Sequence, residues 1–443
     1  MKNGYQNKVV KFGGSSLASA EQILKAVAII RREESRRFVV PSAPGKRFAG
    51  DTKVTDLLIK VYNESAAGLP FEETFRKIGE RYLGIIRGLG LNLDLTGELE
   101  TIHTQLTEGT TLDYVASRGE YLNGLIMAAY LGFTFIDAAE VIFFDKDGVF
   151  EAELTNRVMS RRLSRCKNAV IPGFYGSLPN GAVKTFSRGG SDITGAIVAR
   201  AAGADLYENW TDVSGFLMVD PRIVDSPKPI EVITYRELRE LSYMGASVLH
   251  EDSIFPVKVA GIPINIKNTN RPDDDGTFIV PKGTKHSHSG VITGIAGRKG
   301  LRLIHLEKDM MNQEVGFGLK VLQVIADMGI SFEHLPSGID TMCVVLSGAD
   351  IDGREQEITD RINAAVHPDY LAIEDNLALV AVVGRGMAGT PGTACRVFNA
   401  LAREDINIRM IDQGSSELNI IVGVDDEEYE DALRAIYSEF VKA

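Results

Sequence analysis

Lys11-Phe12-Gly13-Gly14-Ser15-Ser16 joins an apolar run, Val9-Val10 with Phe12, to a helix announced by Ser19 and Gln22 three residues later. Strand, glycine turn and helix N-terminus together suit a phosphate: paired glycines admit an anion to the backbone amides, the helix end adds a partial positive charge, and Lys11 adds a full one. An ordinary βα turn with a solvated lysine satisfies the same short pattern. A second stretch, Ser187-Arg188-Gly189-Gly190-Ser191-Asp192, repeats the geometry at the head of a small-residue helix from Ile193 to Ala202. A helix-capping role explains Asp192 alone but not the arginine and glycines that accompany it.

The elements around these turns read as a βαβ pattern. Phe38-Val39-Val40 ends in the small-residue loop Pro41-Ser42-Ala43-Pro44-Gly45, and Thr55 opens the next helix. In open α/β sheets ligands gather at the carboxyl ends of strands, which directs Gly13, Gly14, Ser42 and Thr55 to one crevice. The region from about Phe71 to Gly132 is helical and ends in Ser117 to Leu125, where Glu120 occupies the first turn of an apolar helix. A buried strand and turn follow at Ala169 to Gly176, then a hairpin-like segment to Thr185. The stretch from Asn209 to Phe216, leading to Val219-Asp220-Pro221-Arg222, reads as a polar loop between extended segments, able to hold a nucleotide.

A chain of 443 residues with 44% hydrophobic and 24% charged content has room for roughly two to four globular domains. No apolar run is long enough to span a membrane, and the first residues lack a signal segment, so a cytoplasmic protein is expected. The three cysteines, Cys166, Cys343 and Cys395, lie too far apart in sequence for a metal or redox motif. A net charge of −12 argues against a nucleic-acid partner. A composition shift from Asn268 to Gly290 marks the main boundary, and His286 and His288 within it are expected to be solvated.

Beyond the boundary the chain repeats itself. Val321, Ile330 and Val344 match Val397, Ile406 and Ile420, each at an offset of 76 residues, so two helix-strand-turn-strand modules follow the catalytic part. Gly384-Arg385-Gly386-Met387-Ala388-Gly389 matches a dinucleotide fingerprint. It lies inside the repeat, its twin lacks it, and the remaining chain is too short for two βαβαβ halves, so a dehydrogenase is not supported.

Taken together, the lysine-glycine turn, the Ser187 to Asp192 turn, Trp210-Thr211-Asp212-Val213 and Asn407-Ile408-Arg409-Met410-Ile411 resemble the aspartate kinases of the amino-acid kinase superfamily over nearly the whole chain. The resemblance implies a three-layer α/β/α sandwich over 1–290, then two small ferredoxin-like ACT domains, at 308–376 and, discontinuously, at 291–307 plus 377–443. It implies transfer of the ATP γ-phosphoryl group to the β-carboxylate of L-aspartate, with Mg²⁺ on the phosphates and no resident metal, as the first step toward lysine, threonine and methionine.

By the same resemblance Lys11 neutralises the transferring group and is oriented by Asp192. Arg188 forks onto the substrate α-carboxylate, Glu120 with Asp192 receives its ammonium group, and Ser42, Thr55, Phe174 and Thr185 line the pocket. Gly13, Gly14, Ser15, Thr211, Asp212 and Arg222 match nucleotide contacts. Two departures stand out: Leu217 replaces a common tyrosine, and Ser247 replaces the lysine of a Gly-Ala-Lys motif, for which Lys267 is a candidate substitute. Met311, Glu314, Glu333, Ser337 and Asp340 resemble an effector pocket, whose acids favour L-lysine over L-threonine. Paired ACT modules imply a homodimer or larger assembly, and the length leaves no room for a fused homoserine dehydrogenase. A kinase with another carboxylate acceptor, or a non-catalytic amino-acid sensor, is the alternative.

Overall fold

The computed structural model describes residues 5–187, 189–246, 249, 251–284 and 290–441. Arg188, Ser247, His286 and His288 lie outside them. The chain forms two compact units, one of Met1–Phe216, Glu231–Tyr235 and Val248–Lys285, the other of Leu217–Ile230, Arg236–Ser247 and His286–Ala443.

The first unit is built on an eight-stranded sheet in the order Thr134–Phe135, Ala169–Val170, Arg36–Pro41, Lys8–Phe12, Leu206–Thr211, Ile264–Asn268, Thr277–Val280, Val232–Thr234. Only the pairing of Thr277–Val280 with Ile264–Asn268 is antiparallel. Lys8–Phe12 is the central strand, parallel to Arg36–Pro41 on one side and to Leu206–Thr211 on the other. Its side chains alternate between the two faces. Val10 and Phe12 join a core made with the helices Ala20–Arg31, Val54–Ala66, Glu72–Gly88, Thr96–Glu108 and Leu112–Leu131. Lys11 leaves on the other face, against the helix Gly190–Ala201. Three layers result, as expected from the sequence.

Local signals set several boundaries. Ser19 caps its helix by accepting from the Gln22 amide at 3.4 Å. Three expectations shift. The second helix starts at Val54, after Lys53, so Thr55 lies within its first turn rather than before it. The long helix starts at Leu112, capped by Thr111 and closed by left-handed Gly132, which places Glu120 in its buried middle instead of a solvated first turn. Asn209-Trp210-Thr211 is a strand and not a loop.

The second unit carries a six-stranded antiparallel sheet in the order Phe332–His334, Thr341–Ser347, Gly294–Glu307, Tyr370–Val383, Asn419–Asp425, Met410–Asp412. Its repeat is visible as a near-symmetric order about the two long central strands. Helices Phe317–Asp327 and Thr393–Arg403 keep the 76-residue offset, but the strands Thr341–Ser347 and Asn419–Asp425 lie 78 apart. Two residues are therefore added between Ile406 and Met410 of the second copy. Segments before residue 290 also pack here: the Ile295 amide donates to the Met218 carbonyl at 2.6 Å, and the Lys228 amide to the Tyr437 hydroxyl at 2.9 Å.

Candidate active site

Lys11 is almost fully buried, and its ammonium has two partners. Nζ lies 2.6 Å from Asp192 Oδ1 and 3.4 Å from Asn209 Oδ1, while Asn209 Nδ2 donates to Asp192 Oδ1 at 2.7 Å. Asp192 sits in the first turn of the Gly190–Ala201 helix, where the unpaired amides of a helix start favour a negative charge. Asn209 follows from strand register, since it stands directly opposite Lys11 on the neighbouring strand and shares its face. The triad holds one cation at the carboxyl end of the central strand. The sequence reading missed Asn209; a polar residue between Glu208 and Trp210 in a short run gave no periodic signal.

The glycines of the first turn have a different job from the one expected. Gly13 spends its amide on the Trp210 carbonyl at 2.9 Å, so it is not a free phosphate donor. Gly14 and Gly45 let two loops touch through their backbones: a Cβ on Gly14 would stand 2.9 Å from the Ala43 carbonyl oxygen, and one on Gly45 only 2.6 Å from the Gly14 carbonyl carbon. The Gly45 amide donates to the Gly14 carbonyl at 2.8 Å, and Arg81 holds the same loop through the Gly45 carbonyl and Asp51. Ser15, at the head of the short turn Gly14–Leu17, is exposed.

A buried carboxylate stands next to this turn. Glu120 is 5% exposed; its Oε1 accepts from the Ser191 hydroxyl at 3.5 Å, and the Ala43 amide also donates to it. Its other oxygen, Oε2, is buried without a hydrogen-bond partner. Burial pushes its pKa up to about 7 against the opposing pull of these hydrogen bonds and of Lys11. Ser191 and Asp192 are consecutive, so one helix turn links the carboxylate to the lysine. Ser42 fixes the facing loop: its amide donates to the Phe12 carbonyl and its carbonyl accepts from Asn123 at 2.7 Å.

Phe174 adopts φ +82°, which a bulky residue rarely does. The Thr194 hydroxyl accepts from its amide at 3.0 Å, and Gly190 leaves the space its ring fills, since a Cβ there would stand 2.4 Å from Phe174 Cδ2. Strain held so firmly by its surroundings is characteristic of functional loops. Thr185 hydrogen-bonds through its hydroxyl to Asp113, at the start of the long helix. Thr211 shares the face of Lys11 and donates to Asp212 at 3.1 Å, and Asn268 fixes the Asp212 carbonyl.

Lys267 does not join this group. It pairs in register with Trp210, one residue beyond Asn209, and so leaves the opposite face of the sheet, where Nζ donates to the Asp274 carbonyl and lies over the Trp210 ring. That face also holds a cleft of about 1300 Å³, lined in part by Lys8, Arg36, Glu208 and Asn265. Arg36 and Lys8 both pair with buried Glu208, at 2.8 and 3.3 Å. Its internally neutralised charges offer a phosphate little.

In the second unit Arg222 is exposed and clamped on Asp220. Lys308 and Lys320 hold Glu314 at 2.9 and 2.8 Å, and their hydrogen bonds lower its pKa to about 2. The Lys308 amide donates to the Asp340 carbonyl, and Met311 starts the turn between them. Glu333 pairs with Arg298 at 2.8 Å, and the Ser337 hydroxyl bonds the Leu335 carbonyl at 3.3 Å. Of the acids expected to await a cationic effector, Glu314 and Glu333 already have partners from their own chain, while Asp340 is engaged through its backbone carbonyl.

Comparison with known proteins places this arrangement. Residues 7–268 match the model of the amino acid kinase family, and residues 380–440 match an ACT domain. The chain is 40% identical to aspartokinase 3 of Bacillus subtilis, over 98% of both chains. Its fold superposes on the crystal structure of Clostridium acetobutylicum aspartate kinase with a TM-score of 0.91 at 51% identity, covering 98% of this chain and 100% of that one. Escherichia coli aspartokinase III, at 26% identity, superposes as its aspartate and ADP complex with a TM-score of 0.73 over 98% and 99% of the chains. Its complex with lysine and aspartate gives 0.72 over 98% and 100%. With both the sandwich and the paired small modules matched along the whole length, the chain belongs to the amino acid kinase family and, within it, to the aspartokinases.

Proposed function

We propose that this aspartate kinase transfers the γ-phosphoryl group of ATP to the β-carboxylate of L-aspartate, opening lysine, threonine and methionine biosynthesis under feedback by L-lysine. The observation that carries the reading is the Lys11–Asp192–Asn209 triad, one residue removed from the Ser191–Glu120 contact. A carboxylate with a pKa near 4 is ionised at neutral pH and needs no general base, so Asp192 is left to position Lys11. One carboxylate oxygen forms a bond to the γ-phosphorus, the bridging bond to the β-phosphate breaks, and ADP leaves with its electron pair. Lys11 answers the charge on the equatorial oxygens, which loose phosphoryl transfer requires. The carboxylates of Asp192 and Asp212 are oxygen donors that would face magnesium carried on the phosphates, which would supply further charge neutralisation.

Glu120 receives the substrate ammonium, Arg188 its α-carboxylate, and Ser42, Thr55, Phe174 and Thr185 line the pocket. Gly14, Ser15, Thr211 and Asp212 are the proposed nucleotide contacts. The Escherichia coli relative, solved with aspartate and ADP and with lysine, supports both substrate and effector. The reading includes a catalytic part over 1–290, ACT modules at 308–376 and at 291–307 with 377–443, assembly as a homodimer or larger, and a cytoplasmic setting. Among the described residues no helix is long and apolar enough to cross a membrane.

ADP release, coupled to an indicator reaction and measured with ATP, Mg²⁺ and L-aspartate, tests it directly. Aspartate-dependent turnover that falls on adding lysine is expected. Turnover with a different carboxylate acceptor alone, or none at all, overturns the assignment.

A further inference from the structure

The helix Tyr235–Tyr243 follows the edge strand Val232–Thr234 of the first unit's sheet without an intervening loop. From Arg236 onward it is grouped with the second unit. Its residues 237, 240 and 243 each meet a different part of that unit. Glu237, fully buried, accepts from the Thr293 hydroxyl at 2.6 Å and from the Arg385 amide at 2.9 Å, which binds the helix to the start of one long strand and the turn after the other. Glu240 accepts from Asn419 at 2.7 Å, on a strand of the second module. Tyr243 donates from its hydroxyl to Glu333, on the edge strand of the first module, beside the Arg298 pair.

Glu333 is thus the point where the helix end and the proposed effector site coincide. Arg298 and Tyr243 satisfy its carboxylate in the effector-free molecule. Arg298 holds Oε1 and Tyr243 holds Oε2, so an effector ammonium that approaches Oε2 competes with the Tyr243 hydroxyl, the weaker holder because it is neutral and half exposed. Building on the effector reading above, we propose that Tyr243 competes with the effector's ammonium for Glu333, so that effector binding releases the C-terminal end of this helix. The Glu237 and Glu240 contacts stay in place, and the released end pivots about them. A ligand that binds the released state better than the pinned one shifts the population toward it.

Tyr243→Phe keeps the ring and removes the competing hydrogen bond. Lysine inhibition and lysine binding by calorimetry are compared between the full-length protein and this variant. The half-inhibitory lysine concentration is expected to fall about fivefold to tenfold, the size of one ordinary net hydrogen bond at a half-exposed site, with kcat in the absence of lysine within about twofold. If the unaltered protein neither binds nor responds to lysine, the effector reading itself fails. If it responds normally and the variant's half-inhibitory concentration is unchanged or raised, the competition is refuted while the effector site stands.

Discussion

Replacing Glu120 by glutamine separates the cost of this carboxylate from its use. Burial lifts its pKa from 4.5 to about 7, so between these values the folded chain holds a proton that the unfolded chain has lost. The stability tied to that proton is complete below pH 4.5 and is lost as pH rises through 7. A displacement of this size corresponds to about 3 kcal/mol at pH 8 and about 1 kcal/mol at pH 5.5. Glutamine never ionises, so Glu120→Gln is expected to be more stable than the parent by up to about 3 kcal/mol at pH 8, with the margin shrinking toward pH 5.5. Urea denaturation at the two pH values reads this.

The same residue makes aspartate binding pH-dependent. With a midpoint near 7, the ionised fraction grows from about one in eleven at pH 6 to about ten in eleven at pH 8, so the parent KM for aspartate should fall about tenfold across that range. In the glutamine variant KM should be high and flat. A variant less stable than the parent at pH 8, or one that keeps the tenfold KM slope, would refute the assignment of a strained, ammonium-reading carboxylate.

Lys11→Ala leaves Asp192 without its cation and should lower turnover by at least about a thousandfold while lysine binding is retained; an active variant removes Lys11 from the chemistry. Lys267→Ala, on the opposite face, should leave the KM for ATP within about twofold, and a tenfold rise would place it in the nucleotide site after all. Arg36→Met strands the buried carboxylate of Glu208 and should destabilise the protein by about 3 to 5 kcal/mol in urea unfolding, with kcat of the folded enzyme unchanged. A loss below about 1 kcal/mol would mean that Lys8 and the Trp210 indole suffice for Glu208.

Much of the site was legible because its signals are local. The Lys11 turn, the Asp192 helix start and the Ser19 cap depend on residues within a few positions of one another. Asn209 was not, because a strand covered on both faces has no alternation to display and its polar residues imitate a loop. Glu120 was found but placed in a first turn, since Thr111 and Leu112 gave a weaker start than Ser117. The repeat was visible, yet runs such as Val344-Val345 and Ile420-Ile421 can slide by two residues without changing their apolar pattern, and only the pairing of Gly423 with Leu379 and Met410 fixes the true register. The packing of 217–230 and 236–246 within the second unit rests on contacts far apart in sequence, which no local pattern encodes.

The two long strands carry a further consequence for how the chain is made. Gly294–Glu307 pairs with Tyr370–Val383 from one end to the other, Gly294 opposite Val383 and Glu307 opposite Tyr370. The first of these strands leaves the ribosome about sixty residues ahead of its mate, and most of the first module is synthesised between them. Closing that pair carries the chain-entropy penalty of a long loop before any of its backbone hydrogen bonds form, so its assembly is slow relative to the helices on either side. Neither module can be cut out at a domain border, because every such cut at about residue 376 divides a strand in mid-run. The sheet is expected to melt as one cooperative body, and a truncated chain ending there would expose half a strand of unpaired amides and carbonyls as an aggregation edge.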